Sequence, residues 1–226
     1  MSNNTNNGQG VSLVLISINM LILFLLIRFH YSSPYDMAME AKSKKDLNDM
    51  LKTLTDVLES ANITYFMQFG TLLGAYRHHG PIPWDDDNDV MVNYTQKRDI
   101  IKAMTSLQPK YGLYQQTDSL FKLYANGGWP VFLKAGLFKW PYVDIFFFGE
   151  NSTHIWDLTY NSHHNSHYKH YKFPEPHSVY RKSDVFPLQK RPFSKLNLYA
   201  PCNTEKLLRQ TYNNINICKS SHYSHR

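Results

Sequence analysis

The chain has 226 residues, 42% of them hydrophobic, with 13 Phe, 16 Tyr and 4 Trp, which is ample material for a packed core. Its net charge is +6 and its pI is near 9.1, but the basic residues are scattered. No nucleic-acid motif accompanies the charge, so it fits anionic small ligands or membrane surfaces rather than DNA or RNA.

In chain order, residues 1–10 form a short polar tail. No charged side chain occurs from Ser2 to Ile27, and Val11 to Ile27 is almost wholly Val, Leu, Ile, Met and Phe. Seventeen residues at ~1.5 Å rise give roughly 25 Å, the short end for a membrane span. Residues 11–28 are therefore expected to be an uncleaved transmembrane signal-anchor; a cleaved signal peptide would need a basic start and a small-residue cleavage site. Residues 29–42, with Ser32-Ser33-Pro34, read as a stem. The domain proper is expected at 43–219, about 180 residues and an ordinary single-domain size.

Leu47, Met50, Leu51, Leu54, Val57 and Leu58 recur at helical spacing, which predicts an amphipathic helix over 43–60. Ile63 to Phe69 predicts a first strand, Thr71 to Arg77 a short helix and Asp87 to Asn93 a second strand. Thr95 is placed to cap a helix running to about Leu107. Short strands are expected around Leu113, at Phe121–Tyr124 and Val131–Lys134, and at Val143–Phe148. From Asn151 to Asp184 the chain turns polar, aromatic and His-rich. His163, His164, His167 and His170 would share one helical face, a pattern that fits a transition-metal site or a substrate-binding loop. Leu207, Leu208 and Tyr212 suggest a closing helix, with residues 220–226 as a tail.

The chemistry concentrates at Gly70-Thr71 and at Asp85-Asp86-Asp87-Asn88-Asp89. Carboxylates this close repel one another unless a cation neutralises them. In an extended segment Asp85, Asp87 and Asp89 project from one face, with Asp86 facing away, giving a hard oxygen site for Mg²⁺ or Mn²⁺. Three rival readings are a solvated acidic surface, a calcium loop and an Asp-x-Asp glycosyltransferase site. The calcium loop fails at Val90 and Gln96, where it needs Gly and Glu. Gly70-Thr71, at the end of an apolar run, offers a turn and backbone N–H groups for a phosphate. Asp144, alone in Tyr142-Val143-Asp144-Ile145-Phe146-Phe147-Phe148, reads as a buried carboxylate that requires a cation or metal partner.

Gly70-Thr71-Leu72-Leu73-Gly74-Ala75-Tyr76-Arg77-His78-His79-Gly80, then Ile82 to Val90, then Val143-Asp144-Ile145-Phe146 resemble the LicD and fukutin-related family of phosphotransferases. Val185-Phe186-Pro187-Leu188 and Ala200-Pro201-Cys202-Asn203 extend the likeness, which spans roughly Ala61 to Asn214. Asn88 departs from it, since an apolar residue usually separates the two acids.

The resemblance implies an α/β (α+β) nucleotidyltransferase-like mixed sheet flanked by helices. It implies transfer of a phospho-alcohol group, of phosphocholine or ribitol-phosphate type, from a CDP-linked donor onto a glycan hydroxyl. Asp87 and Asp89 would hold metal, with Asp85 a further candidate, and Asp144 would complete the site or act as general base. Gly70, Thr71 and Arg77 would bind phosphate, and Lys134 is another candidate for it, with a plain surface lysine the competing reading. A non-catalytic relative and an NTP-using nucleotidyltransferase stay open as alternatives. Positive charge C-terminal to the anchor argues for a cytosolic domain, whereas the resemblance implies a type II Golgi protein with a lumenal domain. Sequons at Asn3, Asn62, Asn93 and Asn151 do not decide this, nor do Cys202 and Cys218, which suit either a lumenal disulfide or free thiols.

Overall fold

A computed structural model describes residues 18–23, 41–133, 136–159, 179–212 and 214–216. Within the expected anchor, residues 18–23 are helical and exposed. Among the described residues no helix is long and apolar enough to cross a membrane; the remainder of 11–28 lies outside them. So do Lys134, the four clustered histidines and Cys218, and with them the question of a disulfide.

Helix α1 (Ala41–Ser60) starts two residues earlier than its pattern predicts and buries Leu47, Met50, Leu51, Leu54 and Leu58, one stripe of its surface. Strand β1 (Tyr65–Met67) leads into helix α2 (Phe69–His78), which is longer than expected at both ends. Strand β2 (Asn88–Asn93) follows a loop. Asn93 then caps a 3-10 turn at Tyr94–Gln96 by accepting the Thr95 N–H at 2.9 Å, and helix α3 runs over Lys97–Thr105. The cap is thus Asn93 rather than Thr95: the Asn93 side-chain oxygen closes an Asx turn and also accepts from the Thr95 hydroxyl, at 2.8 Å.

Strands β3 (Tyr111–Thr117), β4 (Leu120–Leu133), β5 (Gly136–Glu150), β6 (His154–Asp157) and β7 (Val179–Arg181) follow. The short strands expected at 121–124 and 131–134 are one strand, β4, interrupted by a bulge between Tyr124 and Trp129. A short helix α4 (Lys182–Val185), the hairpin β8 (Gln189–Phe193) and β9 (Leu196–Ala200), and helix α5 (Thr204–Thr211) complete the described chain.

The main sheet is mixed, in the order β1-β2-β5-β4-β3, with β6 on β5 and β7 on β6. β2 and β5 are parallel and every other pairing is antiparallel. Alternation divides the two central strands into two faces. Val90, Val92, Val143, Ile145 and Phe147 join the larger core with α1 and α3. Met91, Phe146 and Phe148 join a second cluster with Phe66, Ile155 and Tyr180. Asp89 and Asp144 lie at the start of this second face, ahead of Met91 and Phe146.

Candidate active site

Asp89 and Asp144 are direct neighbours in the parallel register of β2 and β5. With Asp87, one step before β2, they form a buried group whose carboxylate oxygens lie within 4.8 Å of one another. The expected grouping of Asp87, Asp89 and Asp144 is therefore present. A second group joins Asp85, Asp86 and Asp87. Asp86 does not face away, because the run is not extended before Asn88: Asp85 N–H closes a turn on Ile82 O at 3.1 Å.

The cation required by Asp144 is Lys122, directly opposite it on β4. Its ammonium donates to both carboxylate oxygens, at 2.5 and 2.8 Å, and lies 4.2 Å from the centre of the Tyr142 ring. Lys122 is buried, so the pair is strong by geometry and expensive to break. The sequence reading overlooked it. Its signal was nevertheless present, since Lys122 is a lone charge inside Leu120-Phe121-Lys122-Leu123, just as Asp144 is in its own strand.

Gly70 and Thr71 begin α2 against Asp89. Gly70 N–H donates to the Asp89 carboxylate at 3.2 Å, and the Thr71 hydroxyl accepts the Asp89 N–H at 2.7 Å. Both residues thus fix an acid of the cluster. A Cβ on residue 70 would stand 2.4 Å from Asp85 Oδ2, so glycine is what lets the Asp85 carboxylate lie against the helix. The departure at Asn88 also has a local reason. Its side chain points to the face opposite Asp89, where Oδ1 lies 3.5 Å from the Thr71 hydroxyl.

Arg77 occupies the last turn of α2, seven residues after Gly70. That puts Arg77 about 10 Å along the axis, or two helical turns, on the same face of the helix. Its charge, after burial, lowers the pKa of neighbouring His78. Tyr212, the residue after α5, lies within electrostatic reach of the acids. Burial first, then the charges of Asp89 and Asp85, hold its phenol well above the usual range, so it stays protonated. The Trp140 indole donates to Asp86 O at 2.7 Å, tying the β4–β5 hairpin to the acid loop.

The donor set consists of hard carboxylate oxygens, buried and convergent. It fits a divalent metal of the Mg²⁺ or Mn²⁺ kind. Fold and site together define a mixed α/β domain with helices on its sheet and a buried carboxylate centre able to hold metal. Residues 62–203, more than half of the chain, match the family LicD/FKTN/FKRP, nucleotidyltransferase domain, and the chain belongs to that family. Membership suggests a phosphate-transferring enzyme.

An uncharacterized protein of Rickettsia typhi is 24% identical over 160 residues, 71% of this chain and 43% of its own length. Ribitol-5-phosphate transferase FKTN of Mus musculus is 28% identical over 174 residues, 75% of this chain and 32% of its own. The chain thus spans less than half the length of either relative. Among solved structures, the lincosamide antibiotic adenylyltransferase LnuA, lincomycin-bound, is similar at a TM-score of 0.41 and 14% identity, over 71% of this chain and 83% of that one.

Proposed function

We propose that the domain transfers a phospho-alcohol group, of phosphocholine or ribitol-phosphate type, from a CDP-linked donor onto a glycan hydroxyl. The observation that supports this most is the convergence of Asp87, Asp89 and Asp144 within 4.8 Å. A non-catalytic module has no use for mutually repelling buried acids. Bound there, Mg²⁺ or Mn²⁺ would neutralise charge on the donor diphosphate and on the departing CMP.

In the reaction, the acceptor oxygen forms a bond to the phosphorus that carries the alcohol. The bridging P–O bond to the other phosphate breaks, CMP leaves, and the acceptor proton passes to a carboxylate. Asp144 suits a fixed charge better than proton acceptance, because Lys122 engages both of its oxygens. Gly70 and Thr71 hold Asp89 in register, and Tyr212 offers a phenolic O–H within electrostatic reach of the acids.

The test is thermal stabilisation by CDP with Mn²⁺. Wild type is expected to be stabilised and the D87N/D89N variant is not. No shift in wild type, or an equal shift in the variant, would overturn the reading. A donor screen of CTP against CDP-alcohols separates it from nucleotidyl transfer. The same proposal includes a type II Golgi location with the apolar stretch at 11–28 as anchor. Glycosylation at the exposed Asn151 sequon tests the lumenal placement. Asn93 is not expected to carry a glycan, because its side-chain amide nitrogen, the atom a glycan would be attached to, donates to Glu150 at 2.8 Å.

A further inference from the structure

The face that carries Asp144 continues past the acids as an aromatic stripe. On β5, residues 140, 142 and 144 share one side of the pleat. Their cross-strand partners on β4 are Trp129, Tyr124 and Lys122 respectively. From the acids outward the face therefore reads Lys122/Asp144, Tyr124/Tyr142, Trp129/Trp140. Trp140 is held to the acid loop by its hydrogen bond to Asp86 O. Trp129, its direct partner, is 76% exposed. Its ring is therefore open to solvent at the end of an aromatic row that leads to the acids.

The bulge between Tyr124 and Trp129 brings Trp129 to this position. Four residues on β4, Ala125 to Gly128, stand where Pro141 alone lies on β5, and such bulges re-aim the side chains that follow them. Gly128 permits the approach, because a Cβ there would stand 2.1 Å from Trp140 O. Strand rise separates Asp144 from Trp140 by about 13 Å along β5. That distance is comparable to an extended nucleoside diphosphate lying from the acids toward the hairpin.

We infer that Trp129 is a stacking platform for the nucleobase of the donor nucleotide. The inference rests on the acid cluster being a diphosphate site, as proposed above. A base offers a flat π-face to an exposed indole, and such stacking is tolerant of base identity. The diphosphate, anchored at Asp87 and Asp89, would place its base one ribose away, over the aromatic stripe. Trp140 serves as the positioning residue that keeps the platform beside the acid loop.

Isothermal titration of the full chain with Mg²⁺ compares CDP with ribose 5-diphosphate, which keeps sugar and diphosphate but lacks the base. Wild type is expected to prefer CDP by roughly 5- to 150-fold, the range that one base–aromatic stack supplies. W129A is expected to bind both at the affinity of the base-free ligand, and W129F to keep part of the preference. Near-equal binding of ribose 5-diphosphate by W129A and wild type shows that the acid site is intact. A W129A variant that still prefers CDP as strongly as wild type would overturn the inference alone. Failure of wild type to bind either ligand would overturn the diphosphate reading and this one together.

Discussion

Lys122 and Asp144 face each other across β4 and β5, with the ammonium 2.5 and 2.8 Å from the two carboxylate oxygens. Removing only the cation takes the ammonium from a buried carboxylate that has two others beside it. K122M is expected to lose about 3–5 kcal/mol of stability in metal-free protein. The double variant K122M/D144N is expected to recover most of that loss, because the stranded charge is gone. Urea unfolding without metal measures both. Added Mn²⁺ should stabilise K122M more than wild type, since it replaces the missing positive charge.

Gly70 is buried in the first turn of α2. The Cβ that G70A adds would stand 2.4 Å from Asp85 Oδ2 and must displace that buried carboxylate. Mn²⁺ affinity measured by calorimetry is expected to fall by about tenfold or more, within the range seen when groups supporting metal ligands are lost. Unchanged affinity would show that Asp85 takes no part in the metal site.

The acid face was legible because alternation is local: once Asp87-Asn88-Asp89 and Asp144 are placed on strands, their shared side follows. The pairing itself was not legible: Lys122 stands out as a lone charge in its strand, but it meets Asp144 through a register that no local pattern specifies. The bulge in β4 was hidden for a different reason. Asn126-Gly127-Gly128 has the composition of a turn, so one strand reads as two. Asp86 was misplaced because the alternation was extended into residues that fold as a turn before β2. The contacts of Gly70 and Thr71 to Asp89 were hidden for a related reason, since a sequence shows an N–H but not the carboxylate that comes to it.

Thr71 separates a backbone constraint from side-chain chemistry. Its hydroxyl accepts the buried Asp89 N–H at 2.7 Å. T71V keeps the shape but leaves that N–H without its acceptor, which costs about 1–3 kcal/mol. T71S restores the hydroxyl and is expected to stay within about 1 kcal/mol of wild type. Chemical denaturation of the two variants reads the difference. Equal stability of T71V and T71S would show that the hydroxyl does not hold Asp89.

Asp157 gives the fold a predictable pH dependence away from the acid cluster. Burial raises its pKa from 3.8 to about 6, against the opposing effect of Thr159, whose N–H donates to it at 2.8 Å. The folded state therefore binds this proton more tightly than the unfolded chain does. The resulting stabilisation is fully present below about pH 4 and is lost as pH rises through about 6. A shift from 3.8 to about 6 corresponds to about 3 kcal/mol. D157N keeps an oxygen to accept from Thr159 and removes the charge. The stability of D157N minus that of wild type, followed by urea unfolding, should rise by up to about 3 kcal/mol between pH 4 and pH 7. Taking the difference cancels the titration of every other acid, so a flat difference across that window would show that Asp157 is not buried as a carboxylate.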